Sequence, residues 1–148
     1  MHRPLLLVPF VAFLLAADAK DDDALKKEKA ALRGKSKITK VQDWLAGNPN
    51  EKLLVGKIVL IDDAVITVKD GDDAAESDYT IDPTKAPKEL TAVFRNGEDK
   101  GKTMKAIYQL DGDTLIICDS QPGKDRPKEF KPSETTQSMV VMLKRVTD

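Results

Sequence analysis

Few residues in this chain have side chains whose chemistry could be put to use. The one histidine, His2, lies three residues or fewer from the start, and the one cysteine is Cys118. Arg126 stands in a turn-rich run, Pro122-Gly123-Lys124-Asp125-Arg126-Pro127. Residues 1–19 read as a signal peptide: Met1-His2-Arg3 is a short positive start, Leu5–Ala17 is apolar, and Ala17-Asp18-Ala19 is an A-x-A cleavage pattern. Cleavage after Ala19 would leave a mature chain without histidine. Ser-His-Asp and Cys-His catalysis in their usual forms would be lost, along with histidine-based metal sites. The chain has no P-loop, no G-x-G-x-x-G and no metal-spaced cysteine pair. Asp21-Asp22-Asp23 lacks the spacing of a calcium loop and reads as a helix cap. The expected catalytic, cofactor-binding and metal-binding sets are therefore all empty, and the expectation is a protein that is not an enzyme.

What remains is a short set of candidate contacts. Tyr79, Phe94, Tyr108 and Leu115 fall on apolar sides of alternating segments and are candidates to line a pocket. The competing use of such residues is to fill a core, and aromatics make up only 5% of the chain, which is thin for a large apolar cavity. Arg126 is the candidate polar contact, either to an anion at a barrel mouth or to loop carbonyls; the second is the commoner use. Cys118 is expected to be a buried free thiol; the alternative for an exported protein is a cross-link between chains.

The elements that must position these residues are mostly strands. Asp111-Gly112 between two alternating apolar runs is a strong hairpin signal. Centring the turn there pairs Leu110 with Asp113, Tyr108 with Leu115 and Ala106 with Ile117, so that these share one face. The opposite face holds Ile107, Gln109, Thr114, Ile116 and Cys118 and is half apolar. A helix, a loop or a second subunit should therefore cover Ile107 and Ile116, which makes them a candidate homodimer contact.

Elsewhere, strands are expected at Lys35–Val41, Val55–Ile61, Ala64–Lys69, Glu76–Ile81, Leu90–Arg95 and Met139–Val146, with Lys144 and Arg145 guarding the last against aggregation. Asp62-Asp63 reads as a second tight hairpin, and Ala46–Glu51, rich in Gly, Asn and Pro, as a loop. Before the strands, Asp21–Leu32 reads as a helix ending at Gly34, with Leu25, Glu28 or Lys29, and Leu32 on one side. That apolar stripe is thin, so the helix must dock or fray.

About eight short strands after one helix predict a mainly β fold: an antiparallel up-and-down barrel, with a β-sandwich as the alternative. The expected organisation is a leader over 1–19, a helical segment over 20–33 and a barrel domain over 34–148. The net charge of −1 would survive cleavage, because Arg3 and Asp18 leave together. Such a balance offers no basic face for nucleic acid and no polybasic membrane patch. No segment beyond the leader is long and apolar enough to cross a membrane as a helix.

From Leu32 to Val146 the chain resembles an uncharacterised exported domain abundant in planctomycete bacteria. The matching stretches are Leu32-Arg33-Gly34, Asp82–Lys88, Gly101-Lys102-Thr103, Ile107–Leu115, Cys118, and Pro122–Pro127 with Phe130. The resemblance implies a lipocalin-like barrel and carries no established activity. Such domains usually begin Leu-x-Gly-x-Trp, the indole closing the barrel floor. Here Ser36 stands in that place, and Trp44, from the following loop, is the candidate replacement. Two functions follow as expectations. One is an exported binder of a small apolar ligand inside the barrel. The other is a periplasmic, envelope or secreted interaction module with a filled core.

Overall fold

The structure, a computed structural model, describes residues 22–147. The expected leader, its cleavage site, Asp21 and Asp148 lie outside the described residues. Helix α1 covers residues 22–32 and is followed by strand β1 (Gly34–Gln42), helix α2 (Pro49–Leu54) and seven further strands. These are β2 (Ile58–Ile61), β3 (Val65–Asp70), β4 (Asp73–Asp82), β5 (Lys88–Phe94), β6 (Thr103–Asp111), β7 (Thr114–Ser120) and β8 (Ser138–Arg145). Each strand pairs antiparallel with the next, and β8 returns to pair with β1. The result is a closed eight-stranded barrel, not a sandwich, and closure leaves no unpaired edge.

Alternation sets the wall. Ile38, Val59, Tyr79, Leu90, Ala92, Ala106, Tyr108, Leu115 and Leu143 point inward and are buried. In β1 the period of two is broken by a bulge at Thr39, where the pairing with β8 skips from Ile38 to Lys40. The extra residue turns both Thr39 and Lys40 outward and brings Val41, 1% exposed, back to the interior.

Two expectations about turns are corrected. The β6–β7 turn centres on Gly112-Asp113, so Leu110 pairs with Leu115, Tyr108 with Ile117 and Ala106 with Asp119. Gly112 alone takes positive φ, 59°, the pattern of a turn with glycine at its first central position. The register differs by two residues from the one centred on Asp111-Gly112. An even slip preserves the faces, so the expected division of side chains holds. The second correction concerns Ala46–Glu51, which is not simply a loop. Asn48, at φ 50°, leads into α2 with Pro49 at the first helical position, and Leu54 at its end packs on the core. Asn48 also ties the loop to β1, donating from Nδ2 to the Val41 carbonyl (2.8 Å) and accepting at Oδ1 from the Asp43 amide (2.7 Å).

Helix α1 docks across one end of the barrel through the stripe expected of it. Leu32 is 4% exposed and joins the core. Glu28 Oε2 accepts from the Tyr108 hydroxyl (2.7 Å) and pairs with Lys88 Nζ (2.7 Å). Lys29 Nζ donates to the Asp63 carbonyl (2.9 Å) and lies 5.8 Å from the Tyr79 ring centre. The last carbonyls of the helix are held by Arg145, which donates to Ala31 (2.6 Å) and Arg33 (2.7 Å). Arg145 is thus a helix cap as well as a charged strand end. The floor is closed by this helix. Trp44 sits after β1 at the opposite end and does not close the floor.

Candidate functional site

The interior is filled at one end and hollow at the other. At the closed end Tyr79 and Tyr108 cross the lumen, 4% and 1% exposed. Both hydroxyls are partnered: Tyr79 to the Asp62 carbonyl (2.5 Å), Tyr108 to Glu28. Burial pushes both phenols up, helped for Tyr108 by the Glu28 carboxylate. Toward the other end the inward positions of β4 and β5 shrink to Ala75, Ser77 and Ala92. The space they leave is a cavity of about 290 Å³. Its wall is mainly apolar: Ile38, Val59, Ile66, Val68, Leu90, Phe94, Met104, Ile117, Met139, Val141 and Leu143. At its mouth lie Leu54 of α2, Asp99 of the β5–β6 loop, and Gln121 and Pro122 of the β7–β8 loop.

One carboxylate enters this wall. Asp119 follows Leu115 and Ile117 on the inward side of β7, paired with Ala106 on β6 and Met139 on β8. It lies deep in the protein yet keeps accessible surface, and it lines the cavity. Among the described residues no hydrogen-bond donor or cation reaches its carboxylate. Enclosure, followed by the nearby charge of Asp43, pushes its pKa up to about 7. No cluster of three metal-ligating side chains exists among the described residues.

The sequence candidates separate on this geometry. Phe94 lines the cavity as expected. Tyr79, Tyr108 and Leu115 do not; they are inward-facing core that fills the closed half. Asp119 was not among the candidates. Its signal was present in the alternation of Leu115, Ile117 and Asp119, which carries the inward face two residues past the last apolar side chain.

Arg126 and Cys118 lie on the outer wall. The β7–β8 loop, residues 121–137, folds back over β5–β8. Arg126 reaches across it to donate to the carbonyls of Leu90 (2.8 Å) and Ala106 (2.6 Å) and to Thr91 Oγ1 (2.8 Å), with Glu89 Oε1 at 3.6 Å. It therefore bonds strand carbonyls rather than an anion at the mouth. Ile107 (1% exposed), Cys118 (0%) and Val140 (4%) form a second small core, with Ile116 and Phe130 packed on it. A loop of the same chain thus covers this face, and Ile107 is not a surface open to a second copy. The thiol is free and buried, which pushes its pKa up to about 11. Ser120 and Ser138, both buried, tie the loop down through the Asp125 carbonyl (2.6 Å) and the Lys131 carbonyl (3.4 Å). Two depressions of about 410 and 480 Å³ along this loop are shallower than the lumen cavity and lined mostly by charged and polar residues.

No protein-family model, curated protein or solved structure matches this chain.

Proposed function

We propose that this protein is an exported, non-catalytic, lipocalin-like carrier that holds one small, largely apolar ligand in the open half of its barrel. The observation that carries the reading is the cavity of about 290 Å³ with a mainly apolar wall and a mouth between loops. An eight-stranded barrel is just wide enough for one small ligand. The volume is at the lower edge of ligand pockets, roughly 300–1,000 Å³. It corresponds to about ten waters, at about 30 Å³ each. The alternative of an interaction module is weaker on two counts. Its filled core is not what the lumen offers, and its outer apolar face already packs under Phe130.

Native mass spectrometry of the mature protein from its own host is the direct test. A retained small molecule is the expected result. Titration with an environment-sensitive apolar dye gives the second reading. Saturable one-to-one binding is expected in the native chain, and its loss in Ser77→Phe, which places a ring in the cavity. An empty protein that also fails to saturate with dye overturns the proposal.

A further inference from the structure

The character of the cavity wall narrows the ligand. Among the described residues the cavity is lined by two carboxylates, Asp119 in its wall and Asp99 at its mouth, and by no lysine, arginine or histidine. Asp99 already has a cation, Lys102 Nζ at 3.3 Å. Asp119 has none among the described residues, and it sits inside on β7, with the apolar wall around it. A carboxylate in such a place is costly unless something neutralises or hydrogen-bonds it. Among the described residues neither partner is supplied. The nearby charge, Asp43 of the β1–β2 loop, has the same sign and is occupied by Asn50, whose Nδ2 donates to it at 2.7 Å. A metal ion is a poor occupant, since no three ligating side chains converge among the described residues.

We propose that the cavity selects small amphiphiles carrying a protonated amine, with the ammonium group on Asp119 and the apolar body against the β4–β5 wall. This rests on the carrier reading and sharpens it. Carboxylate-headed amphiphiles, the fatty acids included, are disfavoured because like charges meet at Asp119 with no basic residue to intervene. Neutral alcohols of the same length fill the apolar space without gaining the ion pair. Discrimination comes from the head group, and binding itself comes from the tail.

The test compares octylamine, octanol and octanoate by calorimetric titration at pH 8, where Asp119 is ionised and the amine protonated. Octylamine is expected to bind at least tenfold more tightly than octanol, and octanoate more weakly than octanol. In Asp119→Asn the amine should fall to the level of octanol, with octanol unchanged. In the native chain the amine preference should shrink between pH 8 and pH 5 as Asp119 takes up its proton. That second measurement keeps the test decisive even if the variant folds poorly. Octanol binding without an amine preference, or a preference that survives Asp119→Asn or pH 5, overturns the head-group proposal and leaves the carrier reading standing. Failure of all three probes, with no dye uptake, overturns both.

Discussion

The two ends of the barrel are built by the same eight strands and treat buried polar groups in opposite ways. At the closed end, the Tyr79 and Tyr108 hydroxyls and the Glu28 carboxylate have partners within 2.7 Å. At the open end Asp119 faces an apolar cavity with no partner among the described residues. A satisfied network in a low-dielectric interior adds rigidity, whereas an unsatisfied group there costs stability. The contrast assigns tasks to the two ends. The floor contributes to stability, and the mouth accepts a local cost that a ligand can offset.

The comparison is most easily broken with the largest side chains. Tyr108→Ala removes a ring that is 1% exposed and opens a hole where nothing can collapse, so a loss of about 3–5 kcal/mol is expected. Phe94→Ala, at the partly open mouth, should cost no more than about half as much, roughly 1–2 kcal/mol. Urea denaturation gives both values, and equal losses would erase the distinction between the ends.

Asp119→Asn should move stability the other way. The folded chain holds the Asp119 proton up to pH about 7, against an ordinary value of 3.8, so it binds that proton more tightly than the unfolded chain. This contribution is fully present below pH about 4, declines as pH rises through about 7, and is then flat. The variant should therefore gain roughly 1–3 kcal/mol at pH 8 and little at pH 3.5. Thermal or denaturant midpoints at the two pH values decide it. A variant that is less stable at pH 8 would show that Asp119 has a partner inside the fold.

A further substitution tests the floor. Gly34 has φ 141°, and a Cβ there would come within 2.7 Å of Arg145 Nη1, the group that holds the end of α1. Gly34→Ala should cost about 1–2 kcal/mol. Hydrogen exchange should accelerate in residues 22–32 and remain unchanged in the loops of the mouth. Acceleration at the mouth as well would mean that the ends are coupled.

Much of this fold could be read from alternation. Eight strand positions, the division of faces in the β6–β7 hairpin and the side of α1 that docks all follow from apolar spacing. Where reading failed, a local device intervened. Asn48-Pro49 looks like a turn, and the helix it starts is too short to show a period. The β6–β7 register depended on whether Asp111 or Gly112 began the turn, a choice that does not alter the hydrophobic pattern. The site was harder, because a cavity is a property of what is absent. Ala75, Ser77 and Ala92 matter by their size, and which small residues face one another is set by the pairing of distant strands. Arg126 was recognisable as a residue with a task, but its acceptors on β5 and β6 lie 36 and 20 residues away in sequence.

The route of the chain through the floor has a practical consequence. Helix α1 enters β1 at the closed end, and β8 finishes there, with Arg145 paired beside Ser36. Every loop at the mouth is therefore internal to the sequence. Among the described residues, the junction of α1 with β1 and the end of β8 thus both lie at the floor, on the side away from the cavity mouth. A cysteine placed on the exposed face of α1, at Lys26 or Lys27, would therefore tether the protein by its floor and leave the opening free.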